Sequence, residues 1–82
     1  MKITIADYRH YLSSTGDLYS PKRLRGHRTP VYALCVRMRR SMQWYQLPGM
    51  PVFYSLEEAN NKLDYLAGIN RWNLCTPQGV KK

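Results

Sequence analysis

The chain contains few of the residues from which most catalytic and metal sites are built. Among 82 residues there are five acidic side chains, two cysteines and two histidines. Neither Cys35 nor Cys75 belongs to a Cys-x-x-Cys pair, and with His10 and His27 they lack the ligand spacing of a zinc site. The sequence has no glycine-rich phosphate loop, Gly-x-Ser-x-Gly motif or His-Glu-x-x-His motif. We therefore expect a protein that is not an enzyme, with no catalytic residues, no cofactor and no metal.

Long hydrophobic runs are missing as well. The longest apolar run, residues 31–36, is far shorter than the ~20 residues that a transmembrane helix requires. No apolar stretch follows Lys2, as one would in a secretory signal. These absences predict a cytoplasmic protein that does not enter a membrane and whose cysteines stay reduced.

The chain is too short for two independent cores. At 9.7 kDa it is expected to form a single domain over residues 1–75, followed by a flexible basic tail over residues 76–82. Domains of this size bury only roughly 60% of the surface of the unfolded chain. Because no disulfide or metal adds stability, a homodimer is one way in which the protein would bury more surface.

Acidic residues are absent from the whole of residues 18–56, although the net charge is +8. That stretch carries Lys22, Arg23, Arg25, Arg28, Arg37, Arg39 and Arg40. Because cations at this density repel one another, a polyanion would supply the missing counter-charge. The preference for arginine over lysine favours nucleic acid, since a guanidinium group matches phosphate oxygens in a bidentate manner. A solvated basic face that only keeps the protein soluble is the alternative.

The N-terminal pattern predicts a helix. Thr4 and Asp7 have the spacing of a capping box, with Thr4 as the N-cap, and Gly16 would end the helix. In such a helix His10 would be a partly exposed surface residue. Residues 1–5 also alternate between apolar and polar side chains, so a strand remains the alternative for this segment.

The rest of the chain predicts a sheet covered by a second helix. Residues 20–30, bracketed by prolines and rich in arginine, are expected to form an exposed basic loop. Three runs with strand character follow at residues 31–38, 42–47 and 51–54. Ser55 and Glu58 form a capping box that begins a helix, and Gly68 would end it. The predicted fold class is α+β in two layers, with an N-terminal helix, a three-stranded antiparallel meander and a C-terminal helix packed on the sheet.

Trp44 lies on the second predicted strand, where packing in the core is its default role. If Trp44 and Arg37 share a face of the sheet, that face becomes a platform for stacking bases beside guanidinium groups. Tyr65 lies opposite the apolar stripe of the C-terminal helix, so we expect it to be exposed. The predicted nucleic-acid-binding residues are Lys22, Arg23, Arg25, Arg28, Arg37, Arg39, Arg40 and Trp44.

Three strands bearing Arg and Trp, followed by Val52-Phe53-Tyr54-Ser55-Leu56-Glu57-Glu58-Ala59, resemble the AP2-type DNA-binding domain. The arm-binding domains of tyrosine recombinases share that shape, and the resemblance covers residues 31–67. These families insert a three-stranded sheet into the major groove while a helix packs behind it. The resemblance implies DNA contact through Arg37, Arg39, Arg40 and Trp44.

The sequence predicts a small basic protein that binds nucleic acid, double-stranded DNA in preference to RNA, as a regulatory or accessory factor. One alternative is an inhibitor or adaptor, of the kind encoded by phages and mobile elements, whose basic face docks on an acidic surface of a host protein. The other is a small ribonuclease or toxin, which would require His10 and His27 to converge on one site.

Overall fold

The computed structural model describes residues 7–82, and in this range it contains one five-stranded antiparallel sheet and one helix. The strand order across the sheet is β4-β3-β2-β1-β5. The elements along the chain are β1 (Tyr11–Leu12), β2 (Leu18–Arg23), β3 (Tyr32–Arg37), β4 (Tyr45–Gln46), α1 (Leu56–Asn70) and β5 (Asn73–Leu74). No helix in the described range is long and apolar enough to cross a membrane.

The predicted N-terminal helix is wrong over its described part. The proposed cap at Thr4 lies outside the described residues, but from Asp7 onward the chain leads into strand β1, which pairs with both β2 and β5. The Tyr11 side chain faces α1, where its hydroxyl donates a 2.6 Å hydrogen bond to Asp64. His10 and Leu12 alternate to the other face of the sheet, so a period of two describes this segment better than the helical period.

The predicted three-stranded meander is also wrong. Its first strand corresponds to β3, but its second shrinks to β4, and the third contributes one bridge, between Phe53 and Tyr32. The principal partner of β3 is instead β2, which pairs with it over six residues and occupies the first part of the predicted basic loop. Pro21 is tolerated inside β2 because β1 pairs only with Leu18 and Tyr19, so no neighbouring strand needs the missing Pro21 N–H.

The core lies between one face of the sheet and α1. Tyr32 and Leu34 of β3 pack against Leu56, Ala59 and Leu63 of the helix, all of them buried. The helix begins as the sequence predicts, since the Ser55 side chain accepts a 3.1 Å hydrogen bond from the Glu58 N–H. It continues past the predicted stop at Gly68 to Asn70, and Arg71 caps it in the left-handed conformation.

The opposite face of the sheet, which we call the helix-free face, carries the side chains of Leu18, Ser20, Lys22, Ala33, Cys35 and Arg37. His10 lies on this face and is 3% exposed, so its predicted place on the surface is wrong. Cys75 lies beside it, with its N–H donating to the His10 carbonyl oxygen. Residues 76–80 then form a turn closed by hydrogen bonds between Thr76 and Val80, and Cys75 pairs with Lys81.

Candidate nucleic-acid interface

Trp44 and Arg37 lie on the same, helix-free face of the sheet. The Arg37 Cζ atom is 5.7 Å from the centre of the Trp44 ring system, and the Lys22 Nζ atom is 4.0 Å from it. Lys22 reaches the ring from β2, two strands away from β4, so Trp44 extends across the part of the face that contains Cys35. Cation–π attraction favours both contacts. The fold therefore gathers two cations around one half-buried indole.

The segment that joins β3 to β4 concentrates arginine at one end of the sheet. We call residues 37–42 the arginine turn. The turn is closed by the Ser41 N–H, which donates to the Met38 carbonyl oxygen at 2.9 Å, and Arg40 adopts a left-handed conformation with φ of 68°. Because a side chain with a Cβ is strained in this region, the turn holds Arg40 in a conformation that glycine would adopt more easily.

Arg39 anchors the arginine turn to the segment between β1 and β2. Its backbone N–H donates a 3.1 Å hydrogen bond to the Asp17 carboxylate. Its side chain lies along Gly16, where a Cβ would come within 3.0 Å of the Arg39 Cδ atom, and Gly16 has a φ of 90°. The positive φ favours glycine at position 16, whereas the close approach involves only the exposed Arg39 side chain, which can move aside.

A groove of about 380 Å³ runs between the arginine turn and the C-terminal turn. Its apolar lining includes Leu12 and Leu18, while Gln78 comes from the C-terminal turn. Met38 and Met42 line it as well but are 54% and 89% exposed. The sequence-based site did not include these methionines or Gln78. The alternation of Arg37, Met38, Arg39 and Met42 within one short segment was the available signal for the methionines.

The remaining predicted site residues lie at the other end of the β2–β3 pair. Arg23 ends β2, and Arg25 and Arg28 are exposed on the loop of residues 24–31, which the Leu24 N–H closes by donating to the Val31 carbonyl oxygen. The two ends of β3, Tyr32 beside this loop and Arg37 in the arginine turn, are about 17 Å apart along the strand. The structure thus places the predicted residues in two clusters, with Lys22 and Trp44 between them on the helix-free face.

The arginines of the acid-free stretch form no ion pair with a carboxylate among residues 7–82. The ion pair in that range joins Arg9 to Asp64 at 3.3 Å, and both lie outside the stretch. The Asp17 carboxylate approaches the arginine turn but accepts from the Arg39 backbone and from the Thr15 hydroxyl rather than from a guanidinium group. The guanidinium groups therefore remain available to an external anion.

Burial controls the protonation of several groups on the helix-free face. Burial lowers the pKa of Lys22, and the nearby Arg37 lowers it further, against an opposing effect of Cys35. Burial raises the pKa of the Cys35 thiol, so that thiol stays protonated. Cys35 is consequently a buried structural residue, since the thiolate is the reactive form of cysteine.

His10 and His27 line separate cavities. Burial lowers the pKa of His10, and the cations Lys22, Lys82 and Arg37 lower it further, although a hydrogen bond between Nδ1 and the Tyr8 carbonyl oxygen opposes the change. The cavity beside His10, of about 390 Å³, also includes Arg9 and Cys75. His27 lines a cavity in the loop of residues 24–31. The two histidines therefore do not converge on one site, as the ribonuclease alternative requires.

The described range contains no group of three or more His, Cys, Asp or Glu side chains arranged to hold a metal ion. The chain matches no protein-family model, and neither the curated proteins nor the solved structures gave a significant match. The resemblance of residues 31–67 to AP2-type domains accordingly stays a prediction. The function of this chain must therefore be inferred from the geometry of its own residues.

Proposed function

We propose that this protein binds nucleic acid, double-stranded DNA in preference, as a small non-enzymatic regulatory or accessory factor. The observation that carries the proposal is the shared face of Arg37 and Trp44, with Lys22 on the same indole and the arginine turn adjoining it. A concentration of guanidinium groups beside an aromatic ring, without side-chain ion pairs inside the described range, matches the chemistry of a phosphate backbone and stacked bases.

The two basic clusters have different roles in this proposal. Arg37, Arg39 and Arg40 of the arginine turn contact the groove or the adjacent backbone. The second cluster clamps phosphates, and it consists of Arg23, Arg25 and Arg28. Lys22 lies between the two clusters and acts with Arg37 at Trp44. Since the clusters are about 17 Å apart along the strands, a duplex whose axis runs parallel to the strands would meet both clusters within about five base pairs, or half a helical turn.

Fluorescence anisotropy with a labelled duplex of about 20 base pairs tests the proposal at several salt concentrations. The logarithm of the binding constant is expected to fall linearly with the logarithm of the salt concentration, with a slope of about 0.9 for each phosphate neutralised. Arg37→Gln or Arg40→Gln is expected to reduce that slope by about one contact. The control is Arg71→Gln, which removes the same charge at the end of α1, just before β5, the edge strand opposite β4.

Three results would overturn the proposal. Binding that is absent or insensitive to salt excludes a phosphate interface. Equal effects of Arg37→Gln and Arg71→Gln indicate that only net charge matters and that no site exists. Tighter binding to single-stranded DNA or to an RNA duplex of the same sequence contradicts the preference for double-stranded DNA. Light scattering on the same sample tests the predicted homodimer.

A second candidate function, docking on an acidic surface of another protein, is favoured by the exposed apolar side chains near the charges. Arginine and methionine are both enriched in protein interfaces, and Met38 and Met42 adjoin the arginines. On α1, Tyr65 and Ile69 are 62% and 61% exposed, which confirms the predicted exposure of Tyr65. Recovery of one stoichiometric partner protein from a nuclease-treated extract, lost with Arg40→Gln, would support this candidate over the first.

A further inference from the structure

Met42 is the most exposed of the protein's large hydrophobic side chains within the described range. It is 89% exposed, whereas Met38 on the other side of the turn is 54% exposed. A side chain this exposed gains almost no stability from burial in the folded chain. Its side chain is therefore free to contact a ligand that docks on the arginine turn.

The backbone around Met42 is held in place on both sides. On the N-terminal side, the turn from Met38 to Ser41 is closed by a hydrogen bond. On the C-terminal side, the Gln43 N–H donates to the Ser41 Oγ atom at 3.1 Å, and the Gln43 side chain accepts from the Tyr45 hydroxyl at 3.0 Å. One closed turn before Met42 and the hydrogen bond from the Gln43 N–H to Ser41 after it restrain the backbone that carries Met42, which reduces the entropy lost when it binds.

The cations around Met42 specify what kind of surface it meets. Arg39 and Arg40 precede it within three residues, and neither guanidinium group forms an ion pair with a carboxylate in the described range. A phosphate backbone would hold these arginines, and the apolar side chain that follows them in the arginine turn would then face the bases. Proteins that bend DNA insert apolar side chains between base pairs in this way, and they offset the cost of unstacking with added backbone contacts.

We propose that Met42, supported by Met38, is a wedge that enters between adjacent base pairs, so that the preferred ligand is a bent or locally unstacked duplex. The inference rests on the proposed function, because the arginines must first dock on a duplex. Mismatched steps unstack at lower cost than paired ones. The protein therefore favours a duplex with a central mismatch over an intact duplex of the same length.

The test compares anisotropy titrations of an intact duplex and a singly mismatched duplex, with energy transfer between dyes on the two ends as the readout of bending. The unmodified protein is expected to bind the mismatched duplex about tenfold more tightly and to bring its ends closer together. Met42→Gln, which keeps the length but adds a polar amide, is expected to remove both effects, so that it weakens binding of the mismatched duplex by about tenfold and binding of the intact duplex by clearly less. Met42→Leu retains an apolar wedge and is expected to keep both effects.

Ile69→Ala is the matched control, since it removes a comparably exposed apolar side chain from α1, and it should change neither readout. Equal, salt-dependent binding of the two duplexes would overturn the wedge while leaving the proposed function in place. The wedge is also wrong if Met42→Gln weakens both duplexes to the same extent, because Met42 would then act as a general contact. Absence of binding to either duplex would overturn the proposed function and this inference together.

Discussion

The left-handed conformation of Arg40 allows stability and binding to be changed separately. A side chain with a Cβ costs about 1–2 kcal/mol in this conformation, and glycine avoids that cost. Glycine loses roughly 0.5–1 kcal/mol more conformational entropy than other residues when the chain folds. The difference predicts that Arg40→Gly stabilises the protein by about 0.5–1 kcal/mol, which raises the melting temperature by about 2–8 °C in a domain of this size.

The comparison with Arg40→Ala isolates the backbone effect. Both variants lose the same charge and nearly the same side chain, but alanine keeps the strain of the left-handed conformation. Thermal unfolding followed by circular dichroism should therefore place Arg40→Gly above Arg40→Ala by about 0.5–1 kcal/mol, whatever the effect of the lost charge. Arg71 has a φ of 59° at the end of α1, so Arg71→Gly and Arg71→Ala form a second pair with the same expected difference.

DNA affinity should group these four variants by position, whereas stability groups them by the substituted residue. If the arginine turn contacts phosphate, Arg40→Gly and Arg40→Ala weaken DNA binding to a similar extent, and the two Arg71 variants have little effect. The reasoning about strain fails if Arg40→Gly is no more stable than Arg40→Ala. The assignment of the site fails if the Arg71 variants reduce affinity as much as the Arg40 variants do.

Three further predictions concern the fold. Tyr11→Phe removes the hydrogen bond to Asp64 and should lower the free energy of unfolding in urea by about 1–2 kcal/mol. Burial and that hydrogen bond raise the pKa of Tyr11 to about 12, so the contribution of Tyr11 to stability is complete below about pH 10 and is lost as the pH rises to about 12. This alkaline loss of stability should be missing from the unfolding curve of the variant. Burial lowers the pKa of His10, so the contribution of neutral His10 to stability is present above about pH 6.5 and is lost as the pH falls through the lowered pKa. The unfolding free energy of His10→Gln should therefore depend less on pH between about pH 7 and 5. An unchanged pH dependence would contradict the lowered pKa of His10. Leu63→Ala leaves a cavity beneath the sheet and should cost about 2–5 kcal/mol by chemical denaturation, so a loss below about 1 kcal/mol would show that Leu63 is not in the core.

The parts of the fold that the sequence predicted are those whose signals are local. Ser55 and Glu58 lie three residues apart and form the predicted cap, so α1 begins where the sequence indicated. Residues 31–36 are apolar on both faces of the predicted strand, and β3 is indeed buried along nearly its whole length. In each case the sequence pattern that predicts the element spans only a few residues and does not depend on a distant partner in the sequence.

The predictions that failed depended on partners far away in the sequence. Pro21 and the adjacent cations made residues 20–23 resemble a loop, but the missing N–H is harmless because β1 ends before reaching it. The N-terminal segment has a spacing compatible with a helix, but pairing with β2 and β5 and the hydrogen bond from Tyr11 to Asp64 favour a strand. No local pattern in the sequence contains these contacts, since Asp64 is 53 residues from Tyr11.

The missed strand also explains why the candidate site differs from the one that the charge pattern suggested. In a loop, Lys22 and Arg23 would both be solvated, and all the cations of residues 20–30 would form one mobile cluster. In β2, alternation sends Lys22 to the helix-free face and Arg23 toward the side of α1, so only Lys22 reaches Trp44. Charge density in the sequence therefore predicts a polyanionic ligand, whereas strand register determines which cations lie together. For this reason Lys22→Gln should alter binding in concert with Trp44 and Arg37, while Arg23→Gln should act independently of both, and a double-mutant cycle in the anisotropy assay distinguishes the two cases.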